Sequence, residues 1–334
     1  MQTQGRVVVI TGASAGVGRA TAQAFAKRGC SVALIARDAG RLEAASREVE
    51  QLGGRALAIV ADVSDADQVE QAAERVEREL GPIDVWVNNA MVSVLSPAME
   101  MTNDEFRRVT DVTYLGYVYG TLSALRRMKP RDCGVIVQVG SALAYRSIPL
   151  QSAYCAAKHA VVGFTDSLRS ELIHDRSHVR LTAVHLPAVN TPQFNWVRTR
   201  LPRKPQPVPP IFQPEVPAEA IVWASEHPRR ELLVGGPTWQ AVWGQKLIPG
   251  LLDRYLARTC YDGQQYDGAV EPNRPDNLEA TVPGPFGAHG DFDARSSDHS
   301  LQLWAATHRS WIAAGAIGAA ALARVAFEIR PGRK

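Results

Sequence analysis

Arg6-Val-Val-Val-Ile-Thr11-Gly12-Ala-Ser14-Ala15-Gly16-Val17-Gly18 is the stretch that decides the fold. Arg6 to Ile10 is a short β-branched run, which favours extended backbone. The glycines follow at once, and an amphipathic pattern then continues to about Arg28. Strand, glycine-rich turn and helix form the context in which backbone N–H groups cradle a phosphate. Gly12 permits the tight turn, Gly16 lets the backbone approach a pyrophosphate, and Gly18 lets the helix pack closely. Ser14, Ala15 and Val17 complete the candidate cradle. An ordinary turn before a helix has the same local pattern, so the rest of the chain must decide between them.

The next strand, Ser31 to Ala36, ends in Ala36-Arg37-Asp38. A carboxylate at such a tip would bind a ribose 2′-hydroxyl, whereas an arginine accommodates a 2′-phosphate. With Ala36 at the tip and Arg37 after it, NADP is favoured over NAD. Asp38 either turns inward or starts the next helix. Helical patterns at Arg41–Leu52 and Asp65–Leu80 alternate with strand runs at Ala56–Val60 and Ile83–Val87. Asp62 and Val63 stand at one strand tip, and Asn88-Asn89-Ala90 at the other. This alternation predicts an α/β fold, a doubly wound parallel sheet of Rossmann type with helices on both faces. Right-handed crossovers bring the tips to one crevice, where the glycine turn, Arg37, Asp62 and Asn89 would hold a dinucleotide.

Further on, Thr102-Asn-Asp-Glu105 reads as a capping box opening a long helix to about Met128. Val135 to Val139 is a fifth strand, with Ser141 just past its end. Tyr154 and Lys158, four apart on the following helix, share one face. A phenol titrates near pH ~10, and an adjacent ammonium is expected to lower that value. Ser141 is placed to hydrogen-bond the oxygen that Tyr154 protonates. The three suit proton transfer to or from a carbonyl or alcohol oxygen. The pair alone would also fit an amphipathic helix with an exposed lysine; its arrival at the same sheet edge as the cofactor candidates favours catalysis.

Thr11-Gly-x-x-x-Gly16-x-Gly18, Asp62-Val63, Asn88-Asn89-Ala90, Ser141 and Tyr154-x-x-x-Lys158 together resemble the classical branch of the short-chain dehydrogenase/reductase family, over roughly residues 5 to 236. The resemblance implies that Tyr154 is the general acid/base and that Lys158 holds the nicotinamide ribose and depresses the tyrosine pKa. It implies that Ser141 orients the substrate oxygen, that Asp62 and Val63 face the adenine, and that Asn89 supports the cofactor. Two departures stand out. Thr113 occupies the place of a family asparagine that serves a proton relay to the lysine, so the threonine hydroxyl is a candidate substitute. After the sixth strand the family's Pro-Gly reads Leu186-Pro187, so the backbone near Val189 and Thr191, expected to meet the nicotinamide carboxamide, is shifted in sequence. Thr113 also leaves open a cofactor-binding scaffold or sensor with little catalysis.

The 334 residues are 46% hydrophobic and 21% charged, as expected of a globular protein, and a net charge of +3 gives no field for nucleic acid. Four scattered cysteines without a Cys-x-x-Cys pair support neither a metal site nor a disulfide framework. The polar start leads straight into a strand, so a cytoplasmic protein is expected. From Thr191 to Pro217 a proline-rich segment reads as a substrate lid. Its Phe194, Trp196 and Phe212, with Leu143 and Tyr145 across the cleft, suit a bulky, mostly apolar carbonyl or alcohol substrate, or else pin the loop to the core. Arg198, Arg200, Arg203 and Lys204 read as a solvated basic face. Residues 1–236 are expected to form the catalytic and cofactor-binding domain and 237–334 an extension. In that extension Trp239–Arg258 reads as helical with a break at Pro249-Gly250, and Asp262–Ser300 as irregular. An apolar helix at 310–323 is shorter than the roughly twenty residues a membrane span needs. Flanking arginines would suit contact with an anionic membrane surface, but a helix packed on another subunit or loosely attached is the favoured reading. The family analogy adds a homo-oligomer.

Overall fold

The computed structural model describes residues 5–309. Seven strands build the central sheet: β1 (Val7–Thr11), β2 (Ser31–Ala36), β3 (Arg55–Val60), β4 (Ile83–Asn88), β5 (Val135–Ser141), β6 (Arg180–Leu186) and β7 (Glu231–Leu233). All pair in parallel, in the order β3-β2-β1-β4-β5-β6-β7. The order reverses between β1 and β4, and a doubly wound sheet opens a crevice at that point.

Alternating side chains of each strand feed two separate cores, as the pleat requires. Val8 and Ile10 point into the face covered by α1 (Gly16–Ala26), α2 (Ala39–Gln51) and α7 (Glu215–Glu226). Val7 and Val9 point into the face covered by α3 (Ala66–Leu80), α4 (Asn103–Thr110), α5 (Gly116–Arg131) and α6 (Ser152–His174). Every residue of β1 is buried, and each such aliphatic side chain contributes roughly 1.5–3 kcal/mol. Burial on both faces is why these strands read as continuous apolar runs. Two helix starts are set by carboxylates: Asp38 accepts the Arg41 N–H at 2.8 Å at the start of α2, and Asp65 caps α3.

The capping box at Thr102 and Glu105 forms as the sequence predicts. The single helix expected after it is interrupted by a π-helical turn at Asp111–Leu115. Thr113 lies in that turn, where its hydroxyl accepts the Val92 N–H at 3.1 Å and donates to the Val92 carbonyl at 2.9 Å.

The extension begins with α8 (Gly236–Leu247) and α9 (Pro249–Gly263), separated where the sequence predicts. Residues 270–300 have little regular structure, yet Leu278, Val282, Ala288 and Phe292 are buried. The chain is tied back by two small sheets. Gln265–Ala269 runs antiparallel to Arg203–Pro205, and Ile211–Phe212 lies between Ala188–Val189 and Ser296–Ser297. Of the basic residues of the lid, Arg198 and Arg200 are turned inward onto carboxylates, Arg198 meeting Glu105 and Asp276 and Arg200 meeting Glu105, whereas Arg203 meets Asp262 at the surface and Lys204 is exposed as expected. Among the described residues no helix is long and apolar enough to cross a membrane. The segment 310–323 lies outside them.

Candidate active site

The tips of the strands open onto one cavity of about 450 Å³. Its inner wall contains Gly12, Ser14, Ala15, Gly16 and Val17 from the turn between β1 and α1. Gly12 (φ +67°) has no room for a side chain, because a Cβ there would sit 2.8 Å from the Ala90 Cα. Gly18 does not line the cavity; a Cβ on it would lie 2.2 Å from the Gly12 carbonyl oxygen, so it serves the close helix approach. Asn89 braces this turn, donating its amide to the Thr11 and Gly12 carbonyls at 3.0 and 3.3 Å.

Arg37, Asp62 and Val63 line one end of the cavity. Asp62 is paired with Arg108 at 2.5 Å and with Ser64. Burial alone would raise its carboxyl, but the Arg108 and Ser64 hydrogen bonds outweigh it and hold the pKa below the ordinary value. Asp38 caps α2 and pairs with Arg41 at 2.9 Å, so the helix-start reading of that residue is the one observed.

Ser141, Tyr154 and Lys158 reach the cavity from β5 and α6, together with Val189 and Thr191 after β6. Lys158 is 2% exposed, and its ammonium donates to the Tyr117 hydroxyl and the Val139 carbonyl, each at 2.8 Å. An ammonium has three N–H donors, so one remains for a ligand. Lys158 forms no salt bridge within the described residues, and burial pulls its pKa down to about 7.

The tyrosine departs from expectation. Lys158 Nζ lies 4.3 Å from the Tyr117 ring centroid but 5.8 Å from that of Tyr154. Burial consequently dominates at Tyr154 and raises the phenol well above its ordinary value, offset in part by a hydrogen bond with Ser141.

Thr113 is also corrected. Its hydroxyl is used on the Val92 backbone, it is fully buried, and it is not part of the cavity wall. The group that meets the lysine is Tyr117, whose own hydroxyl donates to the Val139 carbonyl at 2.9 Å. Tyr117 is held over a buried polar network in which the Asn88 amide donates to Thr121 and Gln138 and accepts from Trp86. Sequence reasoning missed Tyr117; a tyrosine four positions after Thr113, on the face of α5 turned to the sheet, was the available signal.

The outer half of the cavity is apolar, with Leu95, Leu143, Ile148, Val208, Leu256 and Cys260 among its walls. Leu256 and Cys260 come from α9, which the sequence offered no reason to place there. Phe194 and Trp196 line the cavity, but Phe212 is buried in the core and Tyr145 packs edge-on to His185 at 4.9 Å. Trp196 stacks edge-on to Phe286 at 4.7 Å, so part of the aromatic lid pins the loop to the extension.

The short chain dehydrogenase family matches residues 6–201, and the chain belongs to it. It is 34% identical over 286 residues to an uncharacterized oxidoreductase, YxnA, of Bacillus subtilis, covering 85% of this chain and 80% of that one. It is 33% identical to the uncharacterized oxidoreductase Rv1543 of Mycobacterium tuberculosis, covering 76% and 74% of the two chains. Among solved structures it resembles an alcohol dehydrogenase of Thermococcus sibiricus complexed with 5-hydroxy-NADP (TM-score 0.60, 29% identity, 69% of this chain and 95% of that one). It also resembles levodione reductase (TM-score 0.61, 28% identity, 71% and 98%). The protein is an oxidoreductase of this family, which uses NAD or NADP.

Proposed function

We propose that the protein is an NADP-dependent reductase that interconverts a carbonyl group and a secondary alcohol on a bulky, mostly apolar substrate. The observation that carries this is the meeting of Ser141, Tyr154 and Lys158 with Arg37 and the glycine turn on one cavity whose outer half is apolar. The glycine turn has the close-approach geometry a pyrophosphate needs, and Lys158 keeps a spare N–H for a ribose hydroxyl. Arg37 would hold the 2′-phosphate, Asp62 and Val63 the adenine end, and Val189 and Thr191 the nicotinamide end. When bound, the nicotinamide supplies or takes up the hydride.

In the reducing direction Ser141 holds the substrate oxygen and Tyr154 gives its Oη proton to it. The phenol is protonated at neutral pH, as a donor must be; its raised pKa makes it a weaker acid, so Lys158 must stabilise the phenolate left behind. The thermococcal relative's NADP analogue supports the choice of cofactor by analogy alone. Titration of the protein with NADPH and NADH, followed by turnover on a panel of bulky ketones, tests the reading. Tighter NADPH binding with ketone-dependent NADPH loss is expected; preference for NADH, or NADPH binding without turnover on any ketone, would oppose it. The second outcome would favour a scaffold or sensor. Fractionation and solution mass test the accompanying expectation of a cytoplasmic homo-oligomer.

A second reading, lipid-like substrates taken at a membrane surface, is favoured by exposed Trp239, Trp243, Leu247 and Leu251 on the helices that line the outer cleft. Co-sedimentation of the full chain with anionic vesicles tests it, and absence of binding removes it.

A further inference from the structure

Residues 277–287 run past the end of the cavity lined by Arg37, Asp62 and Val63 as an irregular, bent segment held mainly by arginine side chains. Arg37 donates to the carbonyls of Asn277 (2.6 Å), Leu278 (3.3 Å) and Glu279 (2.9 Å). Arg108 donates to Leu278 at 3.1 Å, Arg41 to Val282 at 2.6 Å, and Arg19 to Phe286 at 3.0 Å. The Gly16 N–H, one of the first-turn donors a helix leaves unpaired, donates to the Gly287 carbonyl at 3.1 Å. Side chains reinforce these contacts: Leu278 is fully buried, and Arg41 lies 4.9 Å from the Trp196 ring and 5.8 Å from the Phe286 ring. Beyond the segment, buried Asn190 donates to Asp293 at 2.8 Å and accepts the Phe292 N–H at 3.0 Å. Asn277 and Thr281 face the same cavity as Arg37, Asp62 and Val63.

The geometry points to Asn277–Gly287 as a strap that completes the dinucleotide site, fixing the Arg37 guanidinium for the adenosine 2′-phosphate and opening when cofactor enters or leaves. The inference rests on the NADP reading above. Three of the five guanidinium donors of Arg37 are used by strap carbonyls, which leaves two for phosphate oxygens and removes the side chain's freedom before the ligand arrives. Asn277 and Thr281 then form the wall against the adenosine, in a part of the chain beyond residue 201, where the family match ends.

The test measures NADPH affinity and release rate in the full-length protein and in Phe286→Ala. Phe286 is half-buried, lies outside the cavity wall and secures the strap to Trp196. Release at least tenfold faster, with a matching loss of affinity, is expected. A second measurement follows amide hydrogen exchange of the wild-type strap with and without NADPH; slowed exchange at 277–287 is expected. It decides the matter alone if Phe286→Ala fails to fold. Wild-type protein that binds NADPH with no change in strap exchange, or Phe286→Ala with wild-type release, overturns the strap. Wild-type protein that binds neither dinucleotide overturns the NADP reading itself, and is told apart by that first titration.

Discussion

The glycine turn and the strap meet at Gly16 and Gly287, yet their placement is encoded in opposite ways. The turn is local. A β-branched run, three glycines and an amphipathic helix fix it within twenty or so residues, and Gly12 can adopt no other role because both its positive φ and Ala90 exclude a side chain. The strap is non-local. It is held by Arg19, Arg37, Arg41 and Arg108, far away in sequence, acting on backbone carbonyls that any residue would offer. One side of that end of the cavity is therefore written in residue types and the other in tertiary contacts.

The comparison can be broken most severely at the turn. Gly12→Ala combines left-handed strain with a backbone clash, for a cost of about 2–5 kcal/mol. A melting temperature lowered by many degrees and loss of dinucleotide binding are expected in thermal and fluorescence titrations. Next in size is Arg37→Leu. Losing a charged hydrogen-bonding group to the phosphate, worth about 1.5–3 kcal/mol, weakens NADPH roughly 10–100-fold. NADH should change much less, and equal losses for both would assign Arg37 to the strap alone.

Asn190→Ala sharpens the contrast from the other side. It removes the buried amide that ties β6's exit to residues 292 and 293, at a cost of about 1–3 kcal/mol, and should lower the melting temperature while NADPH release quickens. A pH-dependent effect concerns Lys158, whose folded pKa of about 7 lies below the ~10.4 of an unfolded lysine. Between those values the unfolded chain holds a proton that the folded one lacks, so this residue's contribution to stability rises with pH and is lost as pH falls through 7. Lys158→Met should be most stabilised relative to wild type below pH 7, with the difference shrinking towards pH 10, by differential melting. A difference independent of pH would contradict the depressed lysine.

Much of the Rossmann core was legible because its strands are buried on both faces and two of its helices, α2 and α3, begin at carboxylate caps. β2 matches the predicted Ser31–Ala36, and the Thr102–Glu105 box forms as read. Three things were not legible. The π-helical turn at Asp111–Leu115 has no local pattern of its own, and it turns Thr113 onto Val92 while Tyr117 meets Lys158. The tyrosine's pKa follows burial, a tertiary quantity, more than its i,i+4 neighbour. The aromatics of the lid read equally as substrate contacts or as loop anchors, and only the fold shows that Trp196 is both, lining the cavity and packing on Phe286 of the strap. Asn190, a lone amide at an otherwise apolar strand exit, was the one residue-level hint that another segment docks there.

The central claim is that Tyr154, aligned with Ser141 and Lys158, delivers the proton beside a bound nicotinamide. NADPH consumption with bulky apolar ketones, compared between wild type and Tyr154→Phe after both are shown to bind NADPH equally, tests it most directly. The account predicts a rate lower by about 10²–10⁴ in the variant. Equal turnover by the two proteins would contradict it.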